Sequence, residues 1–345
     1  MNNEEKYMLR CIELAKKGMG NVSPNPLVGA VIVHENKIIG EGYHQLYGGP
    51  HAEVNAIEQV NNKELLKKST LYVSLEPCSH MGKTPPCSDL IIKKGIPKVV
   101  VGCKDVFEKV NGQGIEKLKA AGIEVTIGLL EKECLVLNNR FLTYHQKKRP
   151  YIILKWAQTL DGYIDKLRDE KNLKSVNWIT SEITQSLTHQ WRAEEDAILV
   201  GRNTIKIDNP SLTVRAYNGN NPKRFIIDPD LKLSKDYKIF KDGNSSFIIN
   251  TIKSNNESEI EYIKCSKPNL LDELMTILYK SKIQSIIIEG GKSTIDKFIE
   301  KELWDEARVL TGNIFFENGL SAPKLNKSPL HSYHVNNDRI DIFRK

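Results

Sequence analysis

The sequence has few cysteines and no long apolar run, and both absences limit what the protein can be. Its 345 residues include only six cysteines, too few for a disulfide framework in a chain of this length. The longest apolar runs, such as residues 27–33, are far shorter than the ~20 residues that span a bilayer, and the first residues lack the apolar stretch of a secretory signal. We therefore expect a cytoplasmic protein with no membrane partner. For the cysteines, the functions to consider are metal binding and catalysis.

A concentrated positive charge is also missing. Lys and Arg number 50 against 43 Asp and Glu, which gives a net charge of +7. The lysines are spread among acidic neighbours, whereas a nucleic-acid-binding protein gathers them on one element. We therefore expect no nucleic-acid partner. The net positive charge is equally consistent with a small phosphorylated substrate. With 40% hydrophobic and 27% charged residues the chain has the composition of a folded protein, and its length predicts about two domains.

Two nucleotide-binding motifs are incomplete. The segment IIIEGGKST contains Gly-Lys-Ser, but Ile286 stands where a P-loop has its first glycine. The segment GQGIEK begins like the dinucleotide fingerprint, but Lys117 stands at the third glycine position. The sequence therefore supports neither a P-loop ATPase nor a standard Rossmann dehydrogenase. A pair of glycines after an apolar strand remains, at the start of a predicted helix, where backbone N–H groups favour a phosphate.

Helical and strand patterns alternate along the whole chain, which predicts an α/β fold of layered helices and sheets. A continuous helical pattern covers residues 131–145 and is followed by the basic segment QKKRP, residues 146–150. We place the domain boundary there, with a first domain at residues 1–146 and a second at residues 147–345. Residues 253–267 are polar, and we expect them to form a surface connection.

The first domain carries a candidate catalytic zinc site. His51 and Glu53 form an H-x-E motif at the start of a predicted helix, and Cys78 and Cys87 follow at the end of a strand and the start of the next helix. One imidazole and two thiolates leave the fourth tetrahedral position of zinc to water, whose pKa falls towards ~7 on the metal. Glu53 is then placed to move protons from that water to a leaving amine. This is the signature of zinc nucleobase deaminases, except that the two cysteines are more widely spaced here.

Longer segments narrow this signature to one family. The segments VSPNPLVGAVIV, GGPHAEVNAI and LYVSLEPCSHMGKTPPC resemble the deaminase domain of the bifunctional deaminase/reductases of riboflavin biosynthesis. The resemblance covers about the first 146 residues and implies a cytidine-deaminase-like three-layer αβα domain with Glu53 as its catalytic residue. The zinc ligands that it implies are His51, Cys78 and Cys87. The contacts that it implies with the phosphorylated pyrimidine are Asn25, His44, His80, Lys83 and Asp105.

The second domain resembles the reductase domain of the same family. The segments LKWAQTLDGYID, HQWRAEEDAILVGRNTIKIDNPSLTVR and SIIIEGGKSTIDKFI carry this resemblance, which implies a dihydrofolate-reductase-like fold. The NADPH contacts that it implies are Ala157, Trp178, Thr204, Asp208, Gly291, Lys292, Ser293, Thr294, Ile295, Asp296 and Lys297. The substrate contacts that it implies are Arg192, Leu212, Arg215 and Glu289. The two arginines suit a bidentate grip on the substrate phosphate.

The sequence departs from the family pattern in three places. The family usually has Pro-Asn-Pro after the Asp of the first domain, whereas Val106, Phe107 and Glu108 follow here, so that a substrate-binding asparagine is missing at Phe107. Val176 replaces a common serine two residues before the tryptophan, and Asn209 replaces the second aspartate of Asp-Asp-Pro. We expect these changes to alter individual contacts and to leave hydride transfer in place, because the hydride comes from the cofactor.

The resemblance implies two consecutive reactions on one pyrimidine phosphate. The first domain would use Zn²⁺ to deaminate 2,5-diamino-6-ribosylamino-4(3H)-pyrimidinone 5′-phosphate, and the second would use NADPH to reduce its ribosyl group to ribityl. We expect a homo-oligomer, and no acid–base residue of the reductase is evident in the sequence. Two alternatives stay open: a nucleoside or tRNA deaminase with an unrelated second domain, and a nucleic-acid-binding protein with a structural zinc.

Overall fold

The computed structural model describes residues 2–79, 81, 85–106, 112–168 and 176–345. The chain divides into two compact units, Met1–Lys148 and Arg149–Lys345. The division lies within the basic segment QKKRP. Across the described ranges no helix is both long enough and apolar enough to cross a membrane.

In its described residues the first unit has a five-stranded sheet and six α-helices. The helices are α1 (Asn3–Lys16), α2 (Ala52–Gln59), α3 (Cys87–Lys94), α4 (Gln113–Ala120), α5 (Glu131–Leu137) and α6 (Asn139–Lys147), and a 3₁₀ helix covers Lys63–Lys68. The strands are β1 (Gly29–His34), β2 (Lys37–Tyr43), β3 (Thr70–Leu75), β4 (Lys98–Cys103) and β5 (Glu124–Ile127). The strand order is β2-β1-β3-β4-β5. Strands β3, β4 and β5 are parallel, and β1 is antiparallel to both of its neighbours.

Alternation along the strands supplies a core on each face of this sheet. Val31 and Val33 of β1 pack in one core with apolar residues of α1 and α5. Ala30 and Ile32 point the other way and pack with residues of α2, α3 and α4. Helices therefore cover both faces, which confirms the predicted three-layer αβα domain.

The strand directions bring the candidate site residues to one edge of the first sheet. Parallel strands β3 and β4 end at this edge, and antiparallel β1 begins there. Because β2 returns antiparallel to β1, it also ends there. The segments before β1 and after β2, β3 and β4 are those in which the sequence predicts zinc and substrate contacts.

The second unit contains a ten-stranded sheet and a two-stranded one. Its strands are β6 (Tyr151–Thr159), β7 (Tyr163–Asp165), β8 (Ala197–Gly201), β9 (Lys223–Ile227), β10 (Ser246–Asn250), β11 (Asn255–Glu257), β12 (Ile260–Lys264), β13 (Ser285–Ile288), β14 (Glu306–Gly312), β15 (Leu320–Ser321), β16 (His331–Val335) and β17 (Asp338–Arg344). Its helices are α7 (Glu182–Glu194), α8 (Arg202–Asp208), α9 (Leu270–Lys280) and α10 (Lys292–Glu300), with a 3₁₀ helix at Lys238–Phe240. The order of the large sheet is β11-β12-β10-β9-β8-β13-β6-β14-β17-β16, and β15 pairs with β7. The central strands from β12 to β14 run parallel, and β11, β17 and β16 are antiparallel additions at the two ends.

Two local predictions are wrong. The helical pattern over residues 131–145 divides into α5 and α6, because the buried amide of Asn138 pairs with the backbone N–H and C=O of Leu27 at 2.8 and 3.0 Å. The expected surface connection at residues 253–267 contains β11 and β12 instead. Ile260 and Tyr262 of β12 are buried, whereas Glu261 between them is exposed, so the strand is amphipathic despite its polar composition.

Candidate active sites

The three predicted zinc ligands meet at the edge of the first sheet. His51 lies just before α2, Cys78 follows β3, and Cys87 is the first residue of α3. Nδ1 of His51 is 3.5 Å from Sγ of Cys78 and 3.3 Å from Sγ of Cys87, and the three ligand atoms lie within 4.8 Å of one another. The backbone N–H of Cys87 also donates to Sγ of Cys78 at 3.3 Å.

These separations fit a tetrahedral zinc ion. Zn–S and Zn–N distances of ~2.3 and ~2.0 Å place a nitrogen and a sulfur ligand ~3.5 Å apart, close to the two distances found here. Within the described part of the chain, no fourth His, Cys, Asp or Glu joins the group. One imidazole and two thiolates are ligands that suit zinc, and three protein ligands leave one position of a tetrahedral ion to water. The other four cysteines are buried in the cores and are the small apolar side chains Cys11, Cys103, Cys134 and Cys265.

Glu53 lies in the first turn of α2, two residues after His51. Its residue surface is 3% exposed. Burial raises the pKa of the Glu53 carboxyl to about 7, and the nearby Cys78 acts in the same direction. The carboxyl group therefore has the acid–base balance near neutrality that suits a proton carrier.

Asn25 and His44 form a hydrogen-bonded pair beside His51. Nδ1 of His44 is 2.9 Å from the carbonyl oxygen of Pro50, so this nitrogen donates its proton. Nε2 is then an acceptor, and Nδ2 of Asn25 donates to it at 2.9 Å. Burial lowers the pKa of His44, and the neighbouring His51 lowers it further, which agrees with a neutral ring. The rings of His44 and His51 meet edge to face, with centroids 5.4 Å apart.

The remaining predicted residues of this site are only partly described. Asp105 is buried, and its backbone N–H donates to Oε2 of Glu76 at 3.2 Å. His80, Lys83, Phe107 and Glu108 lie outside the described residues. The structure therefore brings Asn25 and His44 to the ligand set, and it ties Asp105 to the segment that carries Cys78.

A largely buried cluster of charges occupies the predicted substrate site of the second unit. Glu289 follows β13, and its two carboxylate oxygens accept from Nε and Nη2 of Arg192 at 2.9 and 2.8 Å. Nζ of Lys155 lies 3.4 Å from Oε2 of the same carboxylate. Burial alone would raise the pKa of Glu289, but Arg192 and Lys155 lower it to about 2. Burial lowers the pKa of Lys155, against the opposing effect of Glu289.

Lys155 is the member of this cluster that the sequence reasoning missed. It lies in β6, within the apolar run YIILKWA. A lysine inside a buried strand is the signal that points to it, since such a charge needs a buried partner. His189 of α7 was missed too: its Nδ1 accepts the backbone N–H of Arg215 at 3.1 Å.

The arginines differ in their surroundings. Arg192 is largely buried, with 13% of its side chain exposed, and directs its guanidinium at Glu289, with Nη1 3.3 Å from the carbonyl oxygen of Thr213. Arg215 is exposed, and its Nη1 donates to Oγ1 of Thr213 at 3.1 Å. Leu212 is buried and has a φ of 55°, a backbone conformation that is unusual for leucine. Arg215 therefore has a free approach from solvent that Arg192 lacks.

The predicted NADPH segment forms the start of α10. The backbone N–H of Gly291 donates to Oγ1 of Thr204 at 3.0 Å. A Cβ on Gly201 would lie 2.4 Å from Oγ1 of Thr294, so that glycine lets α10 approach β8. Ile295 packs in the core and presents no side chain to a ligand.

The other predicted NADPH residues vary in exposure. Trp178 and Asp208 are exposed, and so is Val176, which replaces the common serine of the family. Asn209 has a φ of 42°, and its Oδ1 accepts the backbone N–H of Lys238 at 2.8 Å. Asparagine and aspartate both tolerate this left-handed conformation, so the backbone does not explain why asparagine replaces the aspartate of the family here.

Known proteins are similar to both units. The profile of the cytidine and deoxycytidylate deaminase zinc-binding region matches residues 1–103, and that of the RibD C-terminal domain matches residues 150–319. The riboflavin biosynthesis protein RibD of Aquifex aeolicus (strain VF5) is 42% identical over 324 residues, which cover 92% of this chain and 89% of that protein. RibD of Escherichia coli (strain K12) is 35% identical over 328 residues, or 89% of this chain and 86% of that protein.

A solved structure is similar over nearly the whole chain. It is a diaminohydroxyphosphoribosylaminopyrimidine deaminase/5-amino-6-(5-phosphoribosylamino)uracil reductase from Thermotoga maritima. Its TM-score is 0.88 at 36% identity, and the match covers 99% of this chain and 98% of that chain.

Proposed function

The chain belongs to the RibD family of riboflavin biosynthesis proteins, and from this membership we propose that it catalyses two consecutive steps of that pathway. The first is hydrolytic deamination of 2,5-diamino-6-ribosylamino-4(3H)-pyrimidinone 5′-phosphate, and the second is NADPH-dependent reduction of the ribosyl side chain to give 5-amino-6-ribitylamino-uracil 5′-phosphate. The observation that carries the proposal is the His51–Cys78–Cys87 group, whose distances suit zinc. The alternative of an unrelated second domain is excluded by the match over residues 150–319.

In the first unit the chain's own residues bind the ring and move the proton. His51, Cys78 and Cys87 would hold the zinc ion, which supplies a Lewis acid that lowers the pKa of water. The Glu53 carboxylate accepts a proton from the attacking water and returns it to the departing amine. Asn25 and His44 are held in place by their hydrogen bonds and form a polar surface beside His51. We assign them the role of orienting the pyrimidine.

In the second unit we assign different roles to the two arginines, because only Arg192 belongs to the cluster with Glu289 and Lys155. Both nitrogens that Arg192 would turn towards a phosphate are directed at Glu289 instead. We therefore assign the substrate phosphate to the exposed Arg215, and we assign Arg192 the task of orienting Glu289. Lys155, whose pKa burial lowers and whose ammonium faces the ionised Glu289, is the residue of this site suited to proton exchange with the substrate.

NADPH would supply the hydride of the second reaction. The start of α10 suits its phosphate groups, because backbone N–H groups and the positive end of a helix favour anions. We assign deamination to residues 1–146 and reduction to residues 147–345, in a cytoplasmic homo-oligomer. Neither nucleic acid nor a membrane takes part in this function.

One experiment tests both halves. The zinc-loaded chain is given the diaminopyrimidine phosphate, and ammonia release and NADPH oxidation are followed. We expect ammonia without NADPH, and NADPH oxidation only after ammonia has been released. Ammonia from cytidine but not from the diaminopyrimidine phosphate would identify a nucleoside deaminase. Salt-dependent RNA binding by a chain that releases no ammonia would identify a nucleic-acid-binding protein.

A further inference from the structure

Glu76 has a buried carboxylate that accepts four backbone N–H groups. It lies between β3 and the ligand Cys78, and the residue is only 4% exposed. Its Oε2 accepts from Asp105 at 3.2 Å and Gly112 at 3.0 Å, and its Oε1 accepts from Gly114 at 3.0 Å and Ile115 at 3.4 Å. One side chain thus binds two segments that lie about 30 to 40 residues further along the chain.

A carboxylate is the group that these donors need. The first N–H groups of a helix have no partner within the helix. Helix α4 follows Gly112, which has a φ of 91°, and α4 has no side-chain hydrogen bond from its own N-cap residue. Glu76 supplies the missing acceptor from another element, and its negative charge suits the positive end of the helix.

The same residue is held firmly to the zinc-ligand segment. The backbone N–H of Glu76 donates to the carbonyl oxygen of Cys103 at 3.0 Å and so extends the pairing of β3 with β4. Gly114 touches the next residue, because a Cβ on Gly114 would lie 2.0 Å from the carbonyl oxygen of Pro77. The segment that carries Cys78 and the start of α4 are therefore in direct contact, with the carboxylate between them.

We propose that Glu76 is a positioning residue for deamination, which holds Asp105 at a set distance from Cys78. Its Oε2 binds the N–H groups of both Asp105 and Gly112 and thereby fixes the two positions relative to the ligand segment. This inference rests on the proposed deaminase function and on the substrate contact predicted for Asp105. Substrate binding should accordingly depend on Glu76 more than zinc binding does.

The test is Glu76→Gln in the full chain. The glutamine amide turns an NH₂ donor towards N–H donors, so at least two of the four hydrogen bonds are lost. We expect KM for the diaminopyrimidine phosphate to rise about 10- to 100-fold, because the substrate loses, through Asp105, part of the energy of the lost hydrogen bonds to a charged acceptor. We expect a smaller change in kcat, with zinc content and NADPH oxidation on the deaminated product unchanged. Glu76→Asp keeps the charge, and we expect it to recover part of the loss.

Glu116→Gln is the matched control, because Glu116 is exposed in the first turn of the same helix. It should leave every measurement unchanged. A Glu76→Gln chain with a lower melting temperature but an unchanged KM would overturn the proposal, because that result indicates a purely structural role. A wild-type chain that releases no ammonia would instead refute the proposed function itself.

Hydrogen exchange on the wild-type chain provides a measurement that needs no variant. The amides of Asp105, Gly112, Gly114 and Ile115 should exchange slowly, because the buried carboxylate holds them. Fast exchange at Asp105 and Gly112 would overturn the proposal even if Glu76→Gln failed to fold.

Discussion

Arg192 and Glu289, which are 97 residues apart in the sequence, form a buried two-pronged ion pair with N···O distances of 2.9 and 2.8 Å. Arginine presents a fixed fork that matches a carboxylate as well as it matches a phosphate. In this chain the carboxylate of Glu289 binds the guanidinium of Arg192. The pair therefore links α7 to the end of β13 and leaves Arg215 as the exposed arginine of the predicted substrate site.

Replacing Arg192 should harm the second unit in two ways. Arg192→Gln leaves Glu289 buried with Lys155 as its remaining cation, and breaking a buried pair costs about 3–5 kcal/mol. We expect a lower unfolding free energy of the second unit and a large loss of NADPH oxidation, while ammonia release continues. Lys241→Gln, which removes the partner of Asp236 from an ion pair whose two members are both exposed, is the control and should change the stability little. Calorimetry together with the two activity assays checks both parts.

Arg215→Gln should separate phosphate binding from folding. Arg215 is exposed, so its loss should leave the unfolding free energy nearly unchanged. The reductase KM for the phosphorylated substrate should rise about 10- to 100-fold, as the loss of a charge-assisted hydrogen bond implies. The KM for a dephosphorylated substrate should stay the same. An equal rise for both substrates would contradict the assignment of Arg215 to the phosphate.

The sequence predicted the elements whose signal is local, and it missed those that depend on distant partners. The apolar run at residues 197–201 forms a strand, and the helix predicted to start at the H-x-E motif is present as α2. The break between α5 and α6 was missed because its cause, Leu27, is more than a hundred residues away. Strands β11 and β12 were missed because composition hid the alternation of Ile260 and Tyr262.

The same limit applies to the sites. The zinc group was predictable, because the family motif contains all three ligands and Glu53. The partners of those residues were not, because a motif does not show which backbone groups face a side chain. Glu76 stands beside Cys78 in the sequence, yet only the fold brings its carboxylate to Asp105 and α4. Likewise, only the fold reveals that Arg192 is already paired.

Glu53→Gln should stop deamination while zinc stays bound. The amide has nearly the same size but carries no transferable proton, so we expect ammonia release to fall about 10²- to 10⁴-fold. Glu58→Gln, at an exposed position on the same helix, is the matched control. Zinc content and NADPH oxidation on added deaminated substrate should not change for either variant. Deamination at the wild-type rate by the Glu53→Gln chain would contradict the proton role assigned to that residue.

Cys87→Ser should remove the metal. Serine is a poor zinc ligand beside a thiolate, and two remaining ligands bind zinc weakly. We expect metal analysis after dialysis to find far less than one zinc ion per chain, and ammonia release to be lost with it. Cys134→Ala removes a thiol that packs in the core of the same unit and should keep its zinc. Full zinc occupancy in Cys87→Ser would show that the metal, if bound, uses other ligands.

His189 should make the second unit sensitive to acid. Burial lowers its pKa below the ordinary value of 6.5, the facing cations Arg192 and Arg215 lower it further, and Glu289 and a backbone hydrogen bond with Thr213 oppose them. Below about pH 6.5 the unfolded chain therefore binds a proton that the folded chain does not, so stability falls as the pH falls through this window. Protonation of Nδ1 also ends its hydrogen bond with the N–H of Arg215.

Two variants of His189 separate the hydrogen bond from the titration. His189→Asn keeps an acceptor that does not titrate, so we expect the reductase KM of this variant to change less between neutral pH and about pH 5.5 than that of the wild-type chain. His189→Leu leaves the N–H of Arg215 without its acceptor, which costs about 1–3 kcal/mol, and should raise KM at every pH. The substrate phosphate titrates equally in all three assays, so the difference between the profiles belongs to residue 189. Identical profiles for the wild-type and His189→Asn chains would show that His189 does not control Arg215.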